Sequence, residues 1–340
     1  MAAEHHRKRV LFVVDYETDG YLVFKVNLKD LFSDDHTVPP PPPTEMEVLP
    51  LPGTPVASFQ EPEVVRGNIA FAVSGTTIVG LGMKRTFTYD TDSRAAQSGP
   101  TTGGFKCGAL LLPVGADIYA LSLYPHLGSA ARARPRFEAM SPREPTVAWR
   151  ALPEPPPEVQ RVNPDLIGVK PVCSVTACFT MGRRLWLSLR GLGTYSLEQR
   201  TWRKEGDWEV PVEGCAAVYV PELGRLLGFC PDRRCLCACD MDARPPVVTE
   251  AWEETWPWEC FDKGYGISPT GSLVYLGNGS LCITRLVDIK AGRTTTTSAL
   301  CVQAVQLHTS NQGLQMVKRR IRCYTLPKYA RRGYALQPTP

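Results

Sequence analysis

The feature that most constrains this fold is a series of short apolar runs cut by glycine turns between Thr176 and Trp208. Ala177 to Met181 is followed by Gly182-Arg183-Arg184 and then by Leu185-Trp186-Leu187-Ser188-Leu189. Gly193-Thr194-Tyr195-Ser196-Leu197 comes next and leads to Trp202 and Trp208. Glycine supplies the positive φ that a tight hairpin demands, and period-two alternation buries one face of a pleated strand. Leu185, Leu187 and Leu189 therefore share one face, with Trp186 and Ser188 on the other. A hairpin of this size is marginal alone and must lean on neighbours of its own kind. It reads as one blade of a β-propeller.

Repetition along the chain supports that reading. Segments resembling the third strand of the unit occur at Val23 to Leu28, Thr86 to Asp90, Ile118 to Leu123, Gly193 to Leu197, Cys235 to Asp240, Leu281 to Asp288 and Ile321 to Leu326. The later copies recur about every 40 to 45 residues, the spacing of propeller blades. The expectation is one all-β domain over 1–340, a β-propeller of seven blades, with six or eight as alternatives. A β-sandwich, or two stacked β domains, would also supply many short strands.

Composition sets the remaining bounds. With 340 residues and 43% hydrophobic content the chain can bury a large core. Leu11-Phe12-Val13-Val14 runs straight into Asp15, too short for a signal-peptide core, and no apolar run approaches the roughly 18 to 20 residues of a membrane span. The twelve cysteines are thus expected as thiols in a reducing compartment, cytoplasmic or nuclear. The net charge of +4 is unevenly placed, because 318–332 carries seven Lys and Arg with no acid, and Arg7, Lys8 and Arg9 crowd the other end. If closure of the ring joins the chain ends, these become one basic patch, suited to an anionic partner or nucleic acid.

The chain opens with a hairpin, Val10 to Asp15 and Tyr21 to Leu28 across Glu17-Thr18-Asp19-Gly20. Residues 33–62, with five consecutive prolines at Pro39 to Pro43, read as a proline-rich loop, since proline donates no hydrogen bond to a ladder. Residues 125–171 read as a proline-rich, weakly patterned connection, and 327–340 as a basic, flexible tail. Gly99 to Gly108 contains Gly103, Gly104 and Lys106 but lacks the spacing of a phosphate-cradling loop, and reads as a turn. Asn278-Gly279 reads as a hairpin turn.

The run Arg184-Leu185-Trp186-Leu187-Ser188, with Gly193-Thr194-Tyr195-Ser196, Trp202, Gly206-Asp207-Trp208 and Tyr219-Val220-Pro221-Glu222-Leu223, resembles a family of plant proteins of kelch-like β-propeller character. The resemblance covers mainly 170–290, and the paired glycines of kelch strands are mostly missing. It implies a propeller used for binding, of a type attached to an F-box in related proteins; no F-box precedes Val10.

No constellation of catalytic residues stands out. Cys235, Cys237 and Cys239, with Cys230 nearby, invite a metal reading. Same-face strand neighbours sit about 6.6 Å apart, however, whereas thiolates sharing a zinc lie within roughly 4 Å, so they read as buried small hydrophobes and no metal or cofactor is expected. The five histidines, among them His5, His6 and His36, are poorly placed for copper. The surface candidate is Trp252 to Trp258, where Trp252, Trp256 and Trp258 alternate with acids and a proline, a composition suited to aromatic anchoring of a partner. The expectation is a monomeric, non-catalytic interaction module that binds a protein or peptide through Trp252, Trp256 and Trp258, with Arg319 and Arg320 in the basic end. The competing readings are an enzyme with an axial active site and an anionic-ligand or nucleic-acid binder.

Overall fold

The computed structural model describes residues 9–16, 20–32, 48–51, 53–59, 69–106, 108–123, 134–144, 146–157, 175–231, 235–252, 271–290, 296–311, 313–326 and 330–336. Among them the regular elements are strands and short 3-10 turns such as Lys29–Phe32 and Pro221–Leu223. The strands are β1 (Arg9–Tyr16), β2 (Gly20–Asn27), β3 (Val48–Pro50) and β4 (Ala57–Phe59), then β5 (Ala70–Ser74), β6 (Thr77–Leu81), β7 (Thr86–Asp90) and β8 (Ala95–Ser98). Next come β9 (Ala109–Val114), β10 (Asp117–Ser122), β11 (Phe137–Met140) and β12 (Trp149–Ala151), followed by β13 (Val175–Met181), β14 (Arg184–Leu189), β15 (Gly193–Glu198) and β16 (Thr201–Gly206). The series ends with β17 (Glu213–Val220), β18 (Arg225–Phe229), β19 (Leu236–Asp240), β20 (Val247–Trp252), β21 (Ser272–Gly277), β22 (Ser280–Lys290), β23 (Thr296–Ser310), β24 (Gly313–Thr325) and β25 (Ala330–Leu336).

Hydrogen bonding assembles these into meanders ordered β25-β1-β2-β4, β5-β6-β7-β8, β12-β11-β10-β9, β16-β15-β14-β13, β17-β18-β19-β20 and β21-β22-β23-β24-β3. One parallel bridge, Ala177 to Gly214, joins the β13 and β17 meanders into a continuous sheet. The fold is an all-β β-propeller, with six blades among the described residues. Six is the lower alternative to the seven expected, and the difference of one has a definite reason. Leu281 to Asp288 and Ile321 to Leu326, read as two repeats, are β22 and β24 of the same sheet. That sheet's strands reach 15 residues in β23, so its length imitated two repeat periods.

The segments read as irregular also contribute strands. β3 and β4 lie within 33–62, and β11 and β12 within 125–171. The C-terminal stretch expected as a tail contributes β25, which pairs antiparallel with β1 from Leu11↔Leu336 to Tyr16↔Ala330. Backbone pairing with β1 overrides the polar composition of that segment.

The chain divides into two compact units. One comprises Glu61–Tyr219, Asp240–Val247 and Pro338–Pro340. Within it the period-two rule builds two cores from one sheet. Leu110 and Leu112 of β9, Leu121 of β10 and Phe137 and Ala139 of β11 pack on Cys178, Leu185, Leu187 and Leu197 of the β13–β16 blade. The intervening residues, Leu111, Ile118, Ala120 and Met140, point the other way onto Ala72, Val79 and Leu81 of the β5–β8 blade. Each such fully buried side chain contributes about 1.5–3 kcal/mol. Trp186 of β14, wholly buried, stacks on Phe179 of β13 with ring centroids 6.0 Å apart.

The other unit comprises Met1–Gln60, Val220–Cys239 and Val248–Gln337. Its core places Val10, Phe12 and Val14 of β1 and Phe24 and Val26 of β2 against Cys282, Leu300, Val302, Ala304 and Tyr324 of the β21–β24 blade. Asn278 and Gly279 turn the β21–β22 hairpin with φ of 52° and 71°, the doubly positive geometry an Asn-Gly hairpin adopts. Here Cys301 and Cys323, opposite one another in β23 and β24, form a disulfide. The expectation of thiols alone is corrected at this pair: 22 residues separate the two cysteines, and only the hairpin register brings them together.

Candidate functional site

The β23–β24 hairpin presents an open stretch of backbone among the described residues. β23 pairs with β24 from Ala299↔Thr325 to Ser310↔Gly313. On its other side β24 meets β3 only at Cys323↔Val48, Tyr324↔Leu49 and Thr325↔Pro50, where Thr325 Oγ1 also donates to the Leu49 carbonyl at 3.3 Å. Among the described residues, 313–322 therefore has no strand along its outer edge. A strand edge without a neighbouring strand is a template for an added one.

Two features distinguish this edge. First, the register shifts between Gln303↔Ile321 and Val305↔Lys318, so that Arg319 and Arg320 together oppose Ala304. Such a bulge twists the strand and re-aims its side chains. Lys318, Arg319, Arg320 and Arg322 give this part of the strand four positive charges without an acid. Second, Glu250 of β20 already reaches the edge, its carboxylate accepting the outward Leu314 N–H at 3.4 Å. A carboxylate thus occupies the first edge donor, and Met316, two residues on, carries the next outward N–H by the antiparallel rule.

Strand β20 alternates, with Val247, Thr249 and Ala251 exposed and Val248, Glu250 and Trp252 half-buried. Trp252 consequently shares the face from which Glu250 meets β24. Among the residues predicted to bind, Trp252 closes β20, while Arg319 and Arg320 sit at the β24 bulge with Arg320 half-buried. Trp256 and Trp258 lie outside the described residues. The connection between the two groups is the Glu250–Leu314 contact. The open edge itself was missed in sequence; its available signal was the long apolar-polar alternation of 296–325 ending in a lysine-arginine cluster.

The glycine-rich stretch before β9 holds the most deeply buried charge. Lys106 is 0% exposed and its partner Glu138 of β11 is 2% exposed. Lys106 Nζ donates to the Gly104 carbonyl at 3.1 Å, to the Pro135 carbonyl at 2.8 Å and to Glu138 Oε2. Glu138 also accepts the Gly103 and Gly104 N–H groups, at 2.9 and 3.3 Å. Burial pushes the Lys106 ammonium below the ordinary lysine value, against the opposing pull of Glu138. With all three donors of the ammonium engaged inside the protein, the pair fastens the segment to β11 and offers no surface to a ligand.

The cysteines of β19 are also internal. Cys235, Cys237 and Cys239 are 4%, 0% and 0% exposed, and no metal-holding group of His, Cys, Asp and Glu occurs among the described residues. Hydrogen bonding to Cys239, followed by burial, holds the Cys237 thiol far above its ordinary value.

A family model described as "Protein of unknown function (DUF1668)" matches residues 7–324. No curated protein matches the chain. Among solved structures, TolB from Acinetobacter baumannii aligns at 10% identity and a TM-score of 0.42, over 95% of this chain and 68% of that one. The N-terminal domain of Nup159 aligns at 10% identity and a TM-score of 0.28, over 93% of this chain and 58% of that one.

Proposed function

The chain belongs to the DUF1668 family, and from that premise, together with its six-bladed architecture, we propose that it is a non-catalytic interaction module that captures an acidic, extended peptide segment of a protein partner. The peptide adds a strand to the outer edge of β24 between Gly313 and Arg322. The observation that carries this reading is an edge with no neighbouring strand among the described residues and with a basic bulge, already met by one carboxylate, that of Glu250. Backbone pairing supplies affinity, and the cluster from Lys318 to Arg322 selects for acidic side chains and speeds encounter. Trp252, on the Glu250 face of β20, is the aromatic anchor beside the edge. The blades are read as kelch-like from Arg184 to Ser188 and Gly193 to Ser196, and the module as a monomer working in the cytoplasm or nucleus.

The test is fluorescence anisotropy with a labelled Glu/Asp-rich peptide and a neutral control, using wild type, Met316→Pro, Arg320→Glu and Trp252→Ala. Proline is tolerated on an edge whose N–H faces outward, so Met316→Pro blocks strand addition while leaving the β23 pairing in place. Affinity is expected to fall about tenfold or more in Met316→Pro and Arg320→Glu. Equal binding by wild type and Met316→Pro, or tighter binding of a single-stranded oligonucleotide than of the acidic peptide, overturns the proposal.

A further inference from the structure

The β18–β19 hairpin carries four cysteines whose positions follow from its register. Leu226 faces Cys239, Gly228 faces Cys237 and Phe229 faces Leu236. One step further sets Cys230 opposite Cys235, and the Cys230 N–H donates to the Cys235 carbonyl at 2.9 Å. Opposed residues of an antiparallel pair project to the same face, so Cys230 lies beside Cys235 at the open end of a row that continues inward with Cys237 and Cys239. Hydrogen-bonded opposed positions hold their Cα atoms about 5.5 Å apart, and disulfides span Cα separations of roughly 4.4–6.8 Å. Neither cysteine is disulfide-bonded in this structure. The same unit already contains an opposed pair that has bonded, Cys301 and Cys323.

We propose that Cys230 and Cys235 form a redox modification site, a dithiol that closes into a disulfide between the ends of β18 and β19 on exchange with a low-molecular-weight disulfide of the glutathione class. The position within the row selects this pair. Cys230 is half-exposed, the most accessible of the four. Cys237 lies deeper, with its thiol held neutral by Cys239 and by burial, and a neutral thiol is not a nucleophile.

The exchange balances in two steps. The Cys230 thiolate attacks one sulfur of the glutathione disulfide, forming a mixed disulfide and expelling one glutathione thiolate. The Cys235 thiolate then attacks the Cys230 sulfur and expels the second glutathione. The protein dithiol loses two electrons and two protons, the reagent gains two electrons, and both departing thiolates leave as thiols. Reduced glutathione in excess reverses the sequence.

The experiment equilibrates the full chain in buffers of increasing oxidised-to-reduced glutathione ratio, traps free thiols by alkylation and maps tryptic peptides by tandem mass spectrometry. Trypsin cuts after Arg233 and Arg234, so the Cys230 and Cys235 peptides separate unless a disulfide joins them. The expected result is a joined pair that grows with the oxidised fraction as two alkylatable thiols are lost, and that disappears with reductant. Cys235→Ser should arrest the reaction at a glutathione adduct on Cys230. The proposal is overturned if wild-type Cys230 remains alkylatable at full oxidation, stays glutathionylated without being resolved, or joins Cys237 or Cys239 in place of Cys235. The wild-type readout decides the matter even where a serine variant folds poorly.

Discussion

Replacing Lys106 by methionine removes a charge from a place that water does not reach. The ammonium engages three acceptors, the carbonyls of Gly104 and Pro135 and the carboxylate of Glu138. Methionine fills most of the volume but leaves Glu138 ionised, 2% exposed, with only the Gly103 and Gly104 N–H groups to answer it. Removing one partner of a buried ion pair costs about 3–5 kcal/mol. At about 1.4 kcal/mol per factor of ten, that multiplies the unfolded fraction by roughly two to three and a half orders of magnitude. Lys106→Met combined with Glu138→Gln removes the orphaned charge and keeps an acceptor for the Gly103 N–H, so the pair of changes should recover at least half of the loss. Urea unfolding followed by tryptophan fluorescence reads the difference as a shift in midpoint at constant slope. A single variant within about 1 kcal/mol of wild type, or a double variant no more stable than the single, would show that the pair does not hold the glycine-rich segment as argued.

Three further outcomes follow from local geometry. Trp186→Ala deletes a wholly buried ring stacked on Phe179 and should cost about 3–5 kcal/mol, read by thermal unfolding; a loss below 1 kcal/mol would mean that the site collapses around the cavity. Gly279→Ala places a Cβ 2.2 Å from the Leu307 carbonyl oxygen at a φ of +71°, which should cost about 1–3 kcal/mol. Hydrogen exchange at the Leu307 amide, which bonds to the Gly279 carbonyl, should quicken, and unchanged protection would refute the clash. Asp90 accepts the Ser93 N–H at 2.7 Å as well as Ser93 Oγ, Thr76 Oγ1 and the Asp92 N–H, and these bonds hold its carboxyl below the usual carboxylate value. Since the folded value is the lower one, the stabilisation persists above the unfolded value of about 3.9 and is lost as pH falls through the folded one. Carboxyl NMR of Asp90 tests this, and a normal titration there would count against it.

How much of this was legible beforehand depended on the range of the contact. The β1–β2 hairpin and the run from β13 to β15 could be read because turn glycines and period-two alternation act over a few residues. Strand β8, with Ala95 and Ala96, gave no signal, since its residues are exposed and its existence depends on pairing with β7. Glu138 sits in β11 as a buried carboxylate, where an acid would ordinarily argue against a core strand; only Lys106, 32 residues away, explains it. The blade count settled at the lower of the expected alternatives because the strands of one sheet outgrew the repeat length. The Cys301–Cys323 bond and the open edge of β24 were both set by register, which a single strand does not encode.

The pairing of β25 with β1 also places a timing requirement on biosynthesis. Strand β1 is synthesised about three hundred residues ahead of β25, its partner in the same sheet. At about 5–20 residues per second, β1 waits on the order of tens of seconds with its Leu11–Tyr16 backbone lacking the β25 partner it will finally have. During that interval the nascent chain displays an unfilled strand edge, a ready template for wrong pairing until β25 has been made.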